Sequence, residues 1–171
     1  MSANNQSAQG GDNHINLYEP HVWKHHTKVA GLEWKNPVGT ASGTFQYAAV
    51  RWFYDVSQLG AVCTKGASPV PWEGNPSPRT AESPAANINA VGLQNPGIDA
   101  VIAEELPRLK SFFHKPVIAN ISGFSIEEYA YCCERIDREE QVGIIEVNVS
   151  CPNVRHGGMS FGTSPECAAE V

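Results

Sequence analysis

Clustered basic residues are missing from this chain, and their absence argues against a nucleic-acid partner. The 12 Lys and Arg residues are scattered along 171 positions and are outnumbered by 18 Asp and Glu, which gives a formal charge of −6 at pH 7. Phosphate binding draws on grouped Lys and Arg side chains. No apolar run approaches the roughly 20 residues of a membrane-spanning helix, so we expect no membrane association.

The cysteines give no indication of a disulfide framework. They are odd in number, contain no CxxC pair and follow no secretory signal sequence, which predicts a reduced, cytoplasmic protein. The five are Cys63, Cys132, Cys133, Cys151 and Cys167.

Several familiar arrangements of catalytic residues are also absent. The chain has no Ser/His/Asp set, no paired catalytic carboxylates, no metal-ligand spacing and no GxGxxG between a strand and a helix. Hydrolysis and nicotinamide binding are therefore disfavoured, and we expect no metal site. His21 and His25 are four residues apart, but a metal site needs more ligands than two.

The composition, with 42% hydrophobic and 18% charged residues, is that of a soluble globular domain. Residues 1–26 form a polar leader that we expect to be disordered, because its first part, MSANNQSAQGGDN, is polar and lacks hydrophobic periodicity. The folded domain is expected over residues 27–171.

Short apolar runs alternate with amphipathic segments in the rest of the chain, as in βαβ units with a parallel sheet. We predict strands at Val38 to Ser42, Ala61 to Lys65, Pro116 to Ile121 and Gly143 to Asn148.

Three helices are predicted between these strands. One covers Val50 to Leu59 and is stopped by Gly60; a second opens at Asn95 and Pro96, and Pro107 should kink or end it. The third begins with a capping box, Ser125 with Glu128. Its inward face is predicted to carry Ile126, Tyr129, Ala130, Cys133 and Ile136.

The pattern stops short of a complete fold. Ser164 followed by Pro165 is typical of the start of a helix, and only about two turns of sequence follow before Val171. A parallel sheet must be covered on both faces or closed into a barrel of eight strands in about 250 residues. We therefore predict an α/β protein that is the first half of a (β/α)₈ barrel, truncated after the fourth strand.

Polar residues stand at the end of every predicted strand, where barrels of this kind keep their active sites. The ends are Ser42-Gly43-Thr44, Thr64-Lys65-Gly66, Ile118-Ala119-Asn120 and Asn148-Val149-Ser150-Cys151. The connections 66–95 and 151–164 are too long for simple turns; we expect the first to be ordered and the second to be a hinged lid.

Together these residues predict a neutral pocket rich in carboxamides, with Lys65 as its cation and Asn89, Asn95, Asn120, Asn148 and Asn153 as its amides. Carboxamide edges match a planar cyclic imide or urea, and lysine suits an anionic group. A free cysteine has a pKa of about 8.5, so Cys151 can act as nucleophile, general base or metal ligand. From the residues alone, the role of general base and the role of nucleophile are about equally well supported for Cys151.

Six segments in order resemble the class 1B dihydroorotate dehydrogenase catalytic subunit from about Leu32 to Val171. They are NPVGTASGTF (36–45), TKG (64–66), EGNPSPR (73–79), NAVGLQNPG (89–97), VIANISG (117–123) and NVSCPNVRHGGMSFGTSPE (148–166).

The resemblance implies a barrel with FMN over its carboxyl-terminal mouth and oxidation of dihydroorotate to orotate in pyrimidine (UMP) biosynthesis. By the same resemblance, Cys151 is the base that takes the C5 proton while hydride leaves C6. The implied substrate contacts are Lys65, Asn89, Ala90, Val91, Gly92, Leu93, Asn148 and Asn153. The implied FMN contacts are Ser42, Lys65, Gly66, Asn120 and Asn148.

The resemblance also implies a homodimer of catalytic subunits with a partner subunit that carries FAD and a [2Fe-2S] cluster and passes electrons to NAD⁺. A fumarate-using class 1A enzyme shares the cysteine and remains an alternative. The flavin domain of dihydropyrimidine dehydrogenase is disfavoured, because it has His where this chain has Asn153. The later part of the family pattern, with a flavin-contacting lysine and a phosphate grip, is absent, so an inactive truncated piece is the remaining alternative.

Overall fold

The computed structural model describes residues 26–45, 51–150 and 161–171. Nearly all of the expected leader therefore lies outside the described residues. The strands are β1 (Thr27–Val29), β2 (Leu32–Trp34), β3 (Val62–Cys63), β4 (Thr80–Ser83), β5 (Ala86–Asn89), β6 (Val117–Ile121) and β7 (Val142–Val147). The α-helices are α1 (Ile98–Ala100), α2 (Leu106–Lys110), α3 (Ile126–Ile136) and α4 (Pro165–Glu170).

A parallel sheet of order β3-β6-β7 forms the centre of the described structure. These strands confirm three of the predicted ones: β3 and β6 are shorter than predicted, and β7 begins and ends one residue earlier. The predicted strand Val38 to Ser42 is reduced to a single parallel bridge between Gly39 and Ala61. Four chain segments thus run side by side in sequence order and in the same direction.

A short antiparallel hairpin, β1 with β2, precedes the sheet and was not predicted. A Cβ added to Gly143, near the start of β7, would lie 2.5 Å from Leu32 Cδ1 and 2.6 Å from Pro116 Cβ. Glycine at this position therefore allows the hairpin to pack closely against the amino-terminal ends of β6 and β7.

Helices cover one face of the sheet and enclose the core. Val117, Ala119 and Ile121 of β6 point to this side and are all buried. They pack with buried side chains of the helical layer: Ile98, Val101, Leu106, Leu109, Phe113, Tyr129, Cys132 and Ile136.

The prediction that Pro107 kinks or ends the second helix was wrong about the ending. A π-helical segment, Val101–Glu105, separates α1 from α2, and the chain stays helical to Lys110. Pro107 lies just after this π-helical segment and cannot donate to the preceding turn, so the irregularity falls in the turn before the proline while the helix continues past it. The helix begins after Gly97, not at Asn95.

The predicted capping of α3 is confirmed. Ser125 Oγ accepts from the Glu128 N–H, and Glu128 Oε2 accepts from the Phe124 N–H at 2.7 Å. The predicted inward face was partly wrong: Ile126 and Ala130 are exposed and Cys133 is half-buried. The buried stripe is Tyr129, Cys132 and Ile136.

The predicted helix Val50 to Leu59 was wrong for the described residues 51–59, which contain only a 3₁₀ helix at Val56–Gln58. Gly60 is needed for close approach and not as a helix stop, because a Cβ there would lie only 1.9 Å from the Asn36 carbonyl oxygen. At the end of the chain, Ser164 caps α4 by accepting from the Cys167 N–H, as predicted.

Candidate active site

The carboxyl ends of the first two parallel segments meet at Lys65, a half-buried side chain. A Cβ added to Gly43 would lie 3.0 Å from Lys65 Nζ and 3.2 Å from its Cδ, so the lysine lies across the turn that follows the first segment. Thr44 donates to Ala41 through both its N–H and its hydroxyl, which closes this turn around Ser42. The structure therefore brings Ser42 and Lys65 to the same edge of the sheet.

Lys65 and Gly66 interrupt the pairing of β3 with β6. Thr64 donates to Ile118 before them, and Ala67 donates to Asn120 after them. The two residues are thus held at both ends while their own backbone leaves the ladder, which presents the lysine side chain at the strand end.

Asn120 and Ser122 crowd the backbone of Gly66. A Cβ there would lie 2.4 Å from Asn120 Oδ1 and 2.9 Å from Ser122 Oγ. Asn120 is 3% exposed and Ser122 is 2% exposed. Neither Asn120 Oδ1 nor Ser122 Oγ has a hydrogen-bond partner among the described residues. Buried polar atoms are normally paired, so these two oxygens have unused capacity to bind a ligand.

Glu146 stands opposite Asn120 in the β6-β7 register, on the face of the sheet away from the helices. Its Oε1 accepts from Asn120 Nδ2 at 2.5 Å and from Cys63 Sγ at 3.6 Å. Burial, and then the Glu146 charge, raise the pKa of the Cys63 thiol to about 12. Cys63 is therefore a neutral donor at physiological pH.

Glu146 and Ser122 are the residues that sequence reasoning missed. One signal was available for Glu146, since a charged residue inside the apolar run GIIEV shares its side of the strand with Asn148 two positions later. Ser122 follows β6 directly and offered no such signal.

The predicted substrate segment, Asn89 to Leu93, is braced by the preceding loop. Its carbonyl oxygens accept from that loop: Ala90 O from Asn75 Nδ2, Val91 O from Asn75 N and Gly92 O from Trp72 Nε1. Among the described residues, no group accepts from the N–H of Val91, Gly92 or Leu93.

Leu93 joins this segment to the strand ends, because its Cδ1 would be 3.2 Å from a Cβ on Gly66. Its φ of +63° and the +76° of Gly92 turn the backbone sharply there. Asn89 pairs with Thr80 at the base of the β4-β5 hairpin and is exposed, as is Ala90, and no described contact links either to Lys65.

Asn95 does not belong to the pocket, contrary to prediction. Its Oδ1 accepts from the N–H groups of Ser68 and Gly97, and its Nδ2 donates to the Leu93 carbonyl and to Ser68 Oγ. This buried carboxamide is fully used in holding together the two ends of the loop 66–95.

Asn148 follows β7 and is half-buried. Its backbone is fixed by two hydrogen bonds, from its N–H to Ile121 O and from the Tyr129 hydroxyl to its carbonyl at 2.8 Å. Its Oδ1 accepts from the Ser150 N–H. Cys151, Asn153 and most of the predicted lid lie outside the described residues.

Residues 26–45, 51–150 and 161–171 contain no group of three or more His, Cys, Asp or Glu that could hold a metal ion. Within the same ranges, no helix is long and apolar enough to cross a bilayer.

A parallel sheet whose carboxyl edge carries a lysine, and an amide oxygen and a hydroxyl without partners among the described residues, is typical of α/β proteins, which bind their ligands at that edge. The family model for dihydroorotate dehydrogenase matches residues 24–171, and the chain belongs to that family. This confirms the resemblance found in the sequence.

Similar proteins include catalytic subunits of dihydroorotate dehydrogenase B (NAD(+)). That of Enterococcus faecalis OG1RF is 46% identical over 147 residues, 84% of this chain and 46% of the relative. That of Geotalea daltonii is 50% identical over 145 residues, 84% and 47% of the two chains. That of Bacillus caldolyticus is 49% identical over 148 residues, which cover 84% of this chain and 46% of the relative. The chain spans about half the length of these relatives.

Among solved structures, the fold resembles that of dihydroorotate dehydrogenase from Eimeria tenella in complex with ferulenol. The TM-score is 0.63 at 22% identity, over 83% of this chain and 40% of the other. At this identity the likeness concerns the fold alone.

Proposed function

We propose that this chain supplies the N-terminal half of the (β/α)₈ barrel of an NAD⁺-linked dihydroorotate dehydrogenase, which oxidises dihydroorotate to orotate in pyrimidine biosynthesis. The observation that carries the proposal is the convergence of Lys65, Gly66, Asn120 and Leu93 at the carboxyl edge of the sheet. The names and 46–50% identity of the relatives favour the NAD⁺-linked class over the fumarate-linked one. Residues 27–171 would form the barrel portion and residues 1–26 the leader.

The residues present fit FMN as the cofactor. Unpaired Asn120 Oδ1 and Ser122 Oγ offer hydrogen bonds to a polar ring edge, and Lys65 offers a positive charge. The glycines at 43 and 66 have no Cβ, which allows Lys65 and Asn120 to lie against the backbone at the strand ends. FMN would be held by Ser42, Lys65, Gly66, Asn120 and Asn148, and when bound it supplies the acceptor for a hydride.

The substrate would lie beside the braced segment. Among the described residues, no group accepts from the N–H groups of Val91, Gly92 and Leu93, so these can donate to carbonyl or carboxylate oxygens, and Lys65 would stabilise negative charge. With Asn89, Ala90, Asn148 and Asn153 they would orient the dihydropyrimidine ring. A fixed ring lowers the entropic part of the barrier.

Cys151 would serve as the general base. As a thiolate it takes the proton from C5, while the two electrons of the C6–H bond leave as hydride, so that the C5–C6 double bond of orotate forms. Cys151 directly follows Ser150, whose N–H is held by Asn148 Oδ1, so the residues just before the base are anchored. Removing a proton with a positioned base contributes about 10²–10⁴-fold to rate.

The partner would be an electron-transfer subunit with FAD and a [2Fe-2S] cluster, acting on a homodimer of catalytic subunits in the cytoplasm. The relatives' name, catalytic subunit, supports a second subunit. Dihydroorotate and orotate are the small-molecule ligands.

The test is anaerobic mixing of dihydroorotate with a full-length protein that carries this chain. Bound flavin should lose its visible absorption, and fumarate should not restore it. Bound flavin that stays oxidised would contradict the proposed activity, and reoxidation by fumarate would favour the alternative acceptor. The inactive-piece alternative concerns the 171-residue polypeptide itself, which under that alternative binds no FMN and is colourless after purification.

A further inference from the structure

Glu146 fixes the orientation of the Asn120 carboxamide. The two residues face each other on neighbouring parallel strands, and Asn120 Nδ2 lies 2.5 Å from Glu146 Oε1. An ionised carboxylate can only accept hydrogen bonds, so the amide must turn its NH₂ group towards Glu146. Its carbonyl oxygen must then face the other way.

Cys63 holds the carboxylate from the other side. Its thiol is 2% exposed and donates to the same oxygen at 3.6 Å. The raised pKa keeps the thiol protonated and therefore able to donate. Glu146 Oε1 thus accepts from β3 and β6 together, which restricts the rotation of a side chain on β7.

The opposite edge of the Asn120 carboxamide is directed at the strand ends. Asn120 Oδ1 is buried, has no partner among the described residues and lies closer than any other atom to the position of a Cβ on Gly66. A buried acceptor left unpaired destabilises the protein, so a ligand that donates a hydrogen bond at this point binds more tightly than one that does not.

We propose that Glu146 is a positioning residue that makes Asn120 an obligate acceptor, so that the site receives a ring N–H of its ligand at this point. This inference rests on the proposed function. A cyclic imide N–H is the shared chemistry of the flavin ring and of the pyrimidine ring of orotate. Glu146 itself touches no ligand and acts through Asn120.

The experiment uses the full-length protein, from which flavin is removed for one arm. FMN affinity is measured by quenching of flavin fluorescence, and orotate affinity by the change in flavin absorption of the reloaded protein. Glu146→Gln keeps the side-chain shape but lets the Asn120 amide turn over. We expect it to weaken one of the two ligands roughly tenfold, the equivalent of one buried hydrogen bond.

A double-mutant cycle separates positioning from general destabilisation. In an Asn120→Ala background, Glu146→Gln should no longer change the affinity, because the group it orients is gone. An equal loss in both backgrounds, or no loss in the wild-type background, would overturn the proposal.

N-methylated ligands test the wild-type protein directly, so the proposal stays falsifiable if Glu146→Gln fails to fold. FMN methylated at the ring imide, or orotate methylated at a ring nitrogen, should bind less tightly than its parent, and Asn120→Ala should reduce that difference. The ligand whose methylated form binds less tightly than its parent is the one whose ring N–H reaches Asn120. Equal binding of parent and methylated forms of both ligands would reject the role of Asn120. If the protein binds neither FMN nor orotate, that result would contradict the proposed function itself.

Discussion

Lys65 lies against Gly43, with its Nζ 3.0 Å and its Cδ 3.2 Å from the position that a Cβ at residue 43 would occupy. Gly43→Ala should therefore displace the lysine and weaken binding of FMN and orotate, measured as dissociation constants in a full-length protein. Residue 43 has a φ of +74°, so the alanine should also cost about 1–2 kcal/mol of stability.

Gly31→Ala is the matched control for this variant. Its φ is +84° and a Cβ there would meet nothing within 4 Å, so it carries the backbone cost without the contact. Both variants should lower the denaturant midpoint, and only Gly43→Ala should weaken the ligands. Equal ligand affinities in the two variants would show that Lys65 is not needed at that position.

Gly66→Ala should damage the site more directly. Its Cβ would fall 2.4 Å from Asn120 Oδ1, so either the amide or the backbone must move. We expect FMN affinity to fall by roughly tenfold or more, since overpacking of this kind typically costs about 1–3 kcal/mol. Gly39→Ala, whose Cβ would come no closer than 3.4 Å to Ala61 O, should bind FMN like the wild type.

Cys151→Ser should slow anaerobic reduction of the flavin by dihydroorotate by roughly 100-fold and leave FMN bound, because a hydroxyl is a far weaker base than a thiolate. Stopped-flow absorbance gives the rate. Cys167→Ser removes a thiol from α4 and should react at the wild-type rate. Undiminished reduction in Cys151→Ser would remove that residue from the role of base.

The stability of the protein should fall at alkaline pH because of two buried thiols. Burial raises the pKa of Cys63 and Cys132 to about 12, well above the ordinary value of a thiol. Below pH 9 both thiols stay protonated in the folded and unfolded states, so they add no pH dependence. Between pH 9 and 12 the unfolded chain releases protons that the folded protein keeps, and stability drops by about 1.4 kcal/mol per pH unit and thiol.

Urea unfolding at several pH values checks this slope. Cys132→Ala should lose stability less steeply above pH 9 than the wild type, whatever its stability at neutral pH. Identical slopes would mean that Cys132 ionises as readily in the folded protein as in the unfolded chain.

Local patterns predicted β3, β6, β7 and the start of α3, because apolar runs and a serine cap are encoded by neighbouring residues. These local patterns gave wrong predictions where contacts between residues distant in the sequence determine the structure. Val38 to Ser42 makes one bridge, and Gly60 is required by the carbonyl of Asn36, a residue 24 positions earlier.

The candidate site shows the same division. Lys65 and Asn120 could be predicted as site residues because they lie at the ends of predicted strands, whereas the contact of Glu146 with Asn120 depends on the β6-β7 register, which the sequence does not specify. Asn95 was placed in the pocket wrongly, because a carboxamide serves a ligand and a loop with the same hydrogen bonds.

The braced segment has a consequence for how tightly ligands bind. Asn75 and Trp72 hold the carbonyls of Ala90, Val91 and Gly92, so the N–H groups of that backbone are fixed in direction before a ligand arrives. When a ligand must order a mobile loop, the lost conformational entropy weakens binding. Here the segment is already fixed by folding, so the ligand does not have to order it. Orotate binding should therefore show only a small unfavourable conformational entropy from this part of the protein.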